Sequence, residues 1–198
     1  MRAMSEAARR GLYIFLAALA VIVGGVAYEQ FWLGGENAAP AVGGPFALID
    51  QNGVERHDSD FRGKLVLVYF GYTFCPDACP TTLQEISDAL DLLGDKAAKV
   101  QPLFISVDPA RDTPEQLKSY AANFHPSLVL LTGSPEALKK AEQEYHVYVA
   151  KVPQAGADDY LIDHTSIVYL MGRDGHFLGQ FPTGLPPKVI AATIERYL

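Results

Sequence analysis

The chain has 198 residues, 49% of them hydrophobic, with 16 basic and 23 acidic residues for a net charge of −7. That length supplies one core of useful size rather than two. An acidic balance suits a basic protein partner or a cationic ligand and argues against nucleic acid.

Residues 11–28, GLYIFLAALAVIVGGVAY, run for 18 positions without a charge. As a helix they extend about 27 Å, close to the hydrocarbon thickness of a bilayer. Tyr28, Phe31 and Trp32 stand at the far end, where aromatic rings favour the interface, while Arg2, Arg9 and Arg10 outnumber Glu6 on the near side. This places the N-terminus, residues 1–10, in the cytoplasm. A cleaved secretory signal ending at Gly25-Val26-Ala27 is the competing reading; the length of the run and the aromatic and acidic residues after it favour a retained anchor over residues 11–33. Both readings export the rest of the chain; in a bacterial-type inner membrane, the expected location, that is into the periplasm. Beyond residue 33 the chain keeps 13 basic and 21 acidic residues, net −8. Residues 34–45, GGENAAPAVGGP, have the composition of a flexible tether, which leaves 46–198 as the exported domain.

Within it, FALID and VERHD flank an Asn52-Gly53 turn, a hairpin signal. KLVLVYF, residues 64–70, fits a buried central strand. After GYTFCPDACP, Leu83, Ile86, Leu90 and Leu93 recur at helical spacing up to Gly94. Residues 100–107 read as a second buried strand. Thr113-Pro114-Glu115-Gln116 offers an N-cap, a first-turn proline and a capping-box glutamine. A strand at 128–131, a helix opened by Ser134-Pro135-Glu136 and a strand at 147–151 come next. A loop then runs to Asp163, before strands at 165–171 and 177–181 and a final helix from Pro186. The expected fold is α/β and thioredoxin-like: a mixed central sheet flanked by helices, an N-terminal hairpin, and one transmembrane helix ahead of it. Sites in such sheets gather at the carboxyl ends of strands, where CPDACP falls.

CPDACP, residues 75–80, holds both cysteines of the chain. A disulfide between them is permitted by export but closes so short a loop that it contributes only about 2 kcal/mol before strain. With Pro80 expected at the first helical position, Cys79 lies near the N-cap, where unpaired N–H groups favour a thiolate. Both sulfurs can face one point, for a redox disulfide or for a soft metal. Two thiolates are too few for a structural zinc site, whereas two sulfurs and one imidazole suit copper. Of the histidines, His57, His125 and His176 read as surface or capping residues, and His146 ends a helix. His164, in DHTS after the loop PQAGADDY, is the one the topology turns toward the cysteines.

Three blocks carry a resemblance. YFGYTFCPDACP (69–80), SVDPARDTPEQLKSY (106–120) and DHTSIVYLMGRDGHF (163–177) are together similar to the signatures of the Sco/SenC family of membrane-anchored copper proteins, in the family's order. The resemblance implies a thioredoxin-like domain holding one copper ion per chain, Cu(I) or Cu(II), through Cys75, Cys79 and His164. It also implies a role in assembling the binuclear copper A centre of subunit II of cytochrome c oxidase, by delivering copper, by reducing that subunit's cysteines, or both. Another copper carrier or a thiol reductant would be a further partner, and residues 11–33 the contact with the membrane. Asp77 and Asp163 match the pattern as residues behind the ligands, Asp163 as a group that orients His164. Asp108-Pro109 and Arg111-Asp112 read as a turn with a local ion pair, with partner contact as the alternative. Competing functions are a thiol–disulfide oxidoreductase using Cys75 and Cys79, which has no need of His164, and a redox or copper sensor. A thiol peroxidase is also conceivable, with Thr73 beside the cysteine, but the spacing of the pair argues against it.

Overall fold

The computed structural model describes residues 6–28, 42–154 and 160–198. The chain divides into two units, Met1–Ala41 and Val42–Leu198. The described part of the first is helix α1, Glu6–Tyr28. It begins ahead of the uncharged run because Ala and Arg in residues 7–10 are themselves good helix formers. Among the described residues no helix is long and apolar enough to cross a membrane, so the anchor expected at 11–33 rests on its sequence. Residues 29–33 and 34–41, the end of that anchor and most of the expected tether, lie outside the described residues. Residues 42–45, also expected in the tether, belong to the second unit: the Gly43 N–H donates to the Glu144 carbonyl at 2.7 Å.

The second unit runs β1 (Ala47–Asp50), β2 (Glu55–His57), β3 (Leu65–Gly71), α2 (Ala78–Leu93), β4 (Val100–Ser106), α3 (Pro114–Ala121), β5 (Val129–Thr132), α4 (Pro135–Glu144), β6 (Val149–Pro153), β7 (Tyr160–His164), β8 (Ile167–Met171), β9 (Phe177–Pro182) and α5 (Pro187–Glu195). Seven strands form one sheet in the order β2-β1-β5-β4-β3-β8-β9. β3, β4 and β5 are parallel and the outer pairs antiparallel, which makes it the expected mixed sheet. β3 and β4 are buried at every position, as befits central parallel strands; β3 is an unbroken apolar run, while β4 also buries Gln101 and Ser106. Against the sheet's elements α3 packs on β5 and α4 on β1, while α2 lies against α5.

Two local expectations change. β7 occupies the end of the segment read as a loop to Asp163, and it pairs only with β6, in a separate two-stranded arm. Of β7's five residues only Ile162 is buried, so the arm has too little apolar surface to join the main sheet. The capping box at Thr113 is half made: its side chain accepts from the Gln116 N–H, but the Gln116 amide reaches Thr73 Oγ1 at 3.3 Å instead of turning back.

Candidate metal centre

β3 and β4 end side by side, with Gly71 opposite Ser106 and the Val107 N–H donating to the Gly71 carbonyl at 2.8 Å. The cysteine loop after β3 and the 107–113 loop after β4 therefore emerge together at the carboxyl edge of the sheet. α2 starts at Ala78 with Asp77 as N-cap, so Pro80 sits inside the first turn rather than at its start. The first-turn N–H groups lack helical partners anyway, and a proline there removes nothing.

This shift moves the thiolate. Cys79 is fully buried within the first turn, and Cys75 is half-buried ahead of it; both are free thiols. The Cys79 N–H donates to Cys75 Sγ at 3.4 Å. The thiol of Cys75 falls from its ordinary 9.0 to about 3, chiefly through the hydrogen bond from the Cys79 side chain and further through His164 and the N–H groups of Asp77 and Cys79, against burial. The Cys79 thiol is driven up, first by the Cys75 sulfur beside it and then by burial. The preference expected of Cys79 thus belongs to Cys75, whose sulfur collects the donors at the helix start.

His164, half-buried at the end of β7, brings its Nε2 to 3.6 Å from Cys79 Sγ. Its Nδ1 lies 3.1 Å from the Thr165 carbonyl. A carbonyl only accepts, so Nδ1 donates to it, and Nε2 is the ring atom turned toward the sulfurs. Tyr72 and Tyr69 stand edge-on to the imidazole, with centroids 6.0 and 6.2 Å away. The Tyr69 hydroxyl donates to Cys79 Sγ at 3.7 Å, and burial raises its pKa so that it stays a donor. Among the described residues no three His, Cys, Asp or Glu side chains stand close enough together to hold a metal ion. The Cys79–His164 spacing nevertheless fits a shared ion. Metal–sulfur and metal–nitrogen bonds of about 2.3 and 2.0 Å at a tetrahedral angle separate the two ligand atoms by roughly 3.5 Å.

Cys75, Cys79 and His164 are thus brought together. Asp77 is exposed and reaches Cys75 through its backbone N–H. Asp163 is exposed on β7 opposite Ala150, and the Nδ1 contact it was a candidate to make is with the Thr165 carbonyl. His57 pairs with Glu55 and His125 with Ser127, both locally. Sequence reading missed Gly71. A Cβ there would stand 2.8 Å from both Cys79 Sγ and the Phe104 ring. The only signal was a glycine between Phe70 and Tyr72 at the end of a buried strand. It also missed Asp112, fully buried, which accepts from Thr73 and Ser106 rather than facing outward.

A parallel βαβ core extended by antiparallel strands, with two cysteines at a strand–helix junction, defines a thioredoxin-like domain, here with an imidazole added to the dithiol. More particularly, the chain belongs to the SCO1/SenC family, whose model matches residues 34–198. The SCO2-like protein RP587 of Rickettsia prowazekii is 43% identical over 150 residues, 75% of this chain and 73% of that protein. The copper-bound structure of Bradyrhizobium japonicum ScoI superposes with a TM-score of 0.75 and 49% identity, covering 80% of this chain and all of that one. More distant is BsSco, described with a disulfide switch and as a member of the Sco family of cytochrome c oxidase assembly proteins, with a TM-score of 0.62 and 26% identity over 81% of this chain and 95% of its own.

Proposed function

We propose that this protein is a copper chaperone that holds one copper ion between Cys75, Cys79 and His164 and delivers it to the binuclear copper A centre of cytochrome c oxidase subunit II during assembly. The observation that carries the reading is the imidazole Nε2 aimed at a free, buried cysteine sulfur at 3.6 Å, with the second cysteine beside it. The copper held by the Bradyrhizobium relative and the oxidase-assembly role given for BsSco support the ion and the destination.

The burial gradient sets the order of exchange. Cys75 is the accessible thiolate, so a partner's thiol displaces it first, and the ion then rests on the deeper Cys79 and His164 until further partner ligands arrive. A Cys75–Cys79 disulfide presents no thiolates, so copper loading requires the reduced pair. Thiol–disulfide exchange as the main task is not favoured, because it has no use for His164. Residues 11–33 would anchor the domain to a bacterial-type inner membrane with the N-terminus cytoplasmic and the domain periplasmic, supported by the uncharged run and the arginines before it.

The test is copper binding by the full-length chain in detergent, alongside oxidase activity of cells carrying the same variants. One copper per chain is expected, with affinity down roughly 100-fold or more in Cys75→Ser, Cys79→Ser and His164→Ala, and oxidase activity lost in each. Unchanged affinity in any of the three would sink the ligand set, and full oxidase activity in His164→Ala would replace delivery with thiol reduction.

A further inference from the structure

The β6–β7 arm that carries His164 has no strand partner in the main sheet, so its backbone ladder does not fix where the imidazole stands relative to the cysteines. That task falls to side chains, and they converge on the 107–113 loop. Asp108 and Asp112 are both fully buried there. Buried carboxylates are costly unless fully paired, and a simple turn needs neither. Asp112 faces the cysteine loop: it accepts from Thr73 Oγ1 at 2.6 Å and from the Thr73 N–H at 3.2 Å, two residues before Cys75, and from Ser106 Oγ at 2.6 Å. Asp108 faces the arm: the Tyr160 hydroxyl, at the first residue of β7, donates to its Oδ1 at 2.7 Å, and Arg111 Nε donates to its Oδ2. The Arg111 guanidinium lies 3.9 Å from the ring centre of Tyr160 and 4.8 and 5.6 Å from those of Phe74 and Tyr72. One cation therefore stacks on aromatic rings from both halves of the site. Tyr72 adds a direct tie, its hydroxyl oxygen accepting from the Ile162 N–H at 3.2 Å.

We infer that Asp108, Arg111 and Tyr160 form a positioning latch that sets the His164 imidazole against Cys79, with Asp112 fixing the cysteine loop from the same short segment. None of the three is a proposed copper ligand; Asp108 and Tyr160 act through β7, and Arg111 bridges β7 to the cysteine loop. With the tie to β7 broken, Asp112 still holds the cysteine loop, and the ion is left on two thiolates with the imidazole only intermittently engaged.

The latch rests on the proposed ligand set, and the test keeps the two apart. Tyr160→Phe removes one hydroxyl and keeps the ring over Arg111; Arg111→Lys keeps the charge beside Asp108 and loses the planar stack. Each is compared, as full-length protein in detergent, with wild type, with His164→Ala, and with its own double variant carrying His164→Ala. Cu(I) affinity is read by chelator competition and imidazole coordination by the nitrogen hyperfine structure of the Cu(II) spectrum. The latch predicts about 10-fold weaker Cu(I) binding and a diminished imidazole signal in both single variants, with the sulfur charge-transfer band kept. The Tyr160→Phe, His164→Ala double variant should bind no more weakly than His164→Ala alone, since Tyr160 works only through that residue, whereas Arg111 also packs on Phe74 and Tyr72 in the cysteine loop. Wild-type affinity and imidazole signal in Tyr160→Phe and Arg111→Lys, or a Tyr160→Phe loss that adds to that of His164→Ala, overturn the latch while leaving the ligand set standing. Unchanged affinity in His164→Ala overturns the ligand set and the latch together.

Discussion

Cys75 and Cys79 are the same residue four positions apart, yet the fold gives them opposite protonation states. Cys75 collects donors at the start of α2 and titrates near 3, whereas Cys79, buried beside that sulfur, is held as a thiol. At neutral pH the pair therefore carries one proton, and binding Cu(I) to both sulfurs releases it. With a single proton released, affinity rises about tenfold per pH unit between roughly pH 7 and 8.5 and weakens by the same factor on acidification. Chelator competition across that range, or calorimetry in buffers of different ionisation enthalpy, measures the slope. A hundredfold change per unit would mean that both cysteines are protonated in the free protein, and the division between them would be lost. Gly71 belongs to the same account, because a side chain there would meet the Cys79 sulfur and displace it from His164.

At the scale of elements, what is local in sequence was legible and what is not was missed. The N-caps Thr113 and Ser134 act as their motifs predict, each side chain accepting from the N–H three residues on. The buried strands declared themselves by apolar runs, unbroken in β3 and interrupted by Gln101 in β4. β7 did not, because YLIDH buries one side chain and owes its strand geometry to pairing with β6. His146, read only as a residue at a helix end, proves to hold a left-handed conformation, φ 54°, closing α4 with the Val147 N–H on the Glu142 carbonyl at 2.8 Å. Glycine is the residue that adopts this cap without a Cβ penalty. His146→Gly is expected to raise stability by about 0.5–1 kcal/mol in urea unfolding and to leave copper affinity unchanged. A destabilised variant would show that the imidazole makes contacts worth more than the strain, and a loss of copper would implicate His146 in the site.

Over the whole molecule, the metal site was legible in halves. Both cysteines sit in one hexapeptide, and the order of elements singled out His164, 85 residues beyond Cys79. The parts that join the halves were not legible, because Asp108 and Tyr160 are 52 residues apart and meet only through the fold. The same separation hides which acidic residues of a chain with net charge −7 matter for folding. Generalised repulsion among carboxylates eases on acidification, so it cannot account for acid unfolding. Individual buried carboxylates can, and they differ in sign. Burial raises the pKa of Asp112 despite its hydrogen bonds, so the folded state binds that proton more readily than the unfolded chain; its contribution is greatest in acid and declines as pH rises through the folded value. Asp50 is the reverse. Burial acts to raise it, but the N–H groups of Val54 and Asn52 and the Arg56 guanidinium outweigh burial and hold it below the ordinary 3.8. Its ionised form therefore stabilises the β1–β2 hairpin above about pH 4, and that stabilisation is lost as pH falls through the depressed value. Asp50→Asn is accordingly expected to cost about 1–3 kcal/mol at pH 7, since hydrogen bonds to a charged acceptor are lost or weakened. The gap seen at pH 7 should narrow toward zero at an acid pH below that depressed value, where the wild-type carboxyl has taken up its proton. Urea unfolding of both proteins at the two pH values decides the matter: an equal gap at each would mean that the Asp50 charge does not hold the hairpin.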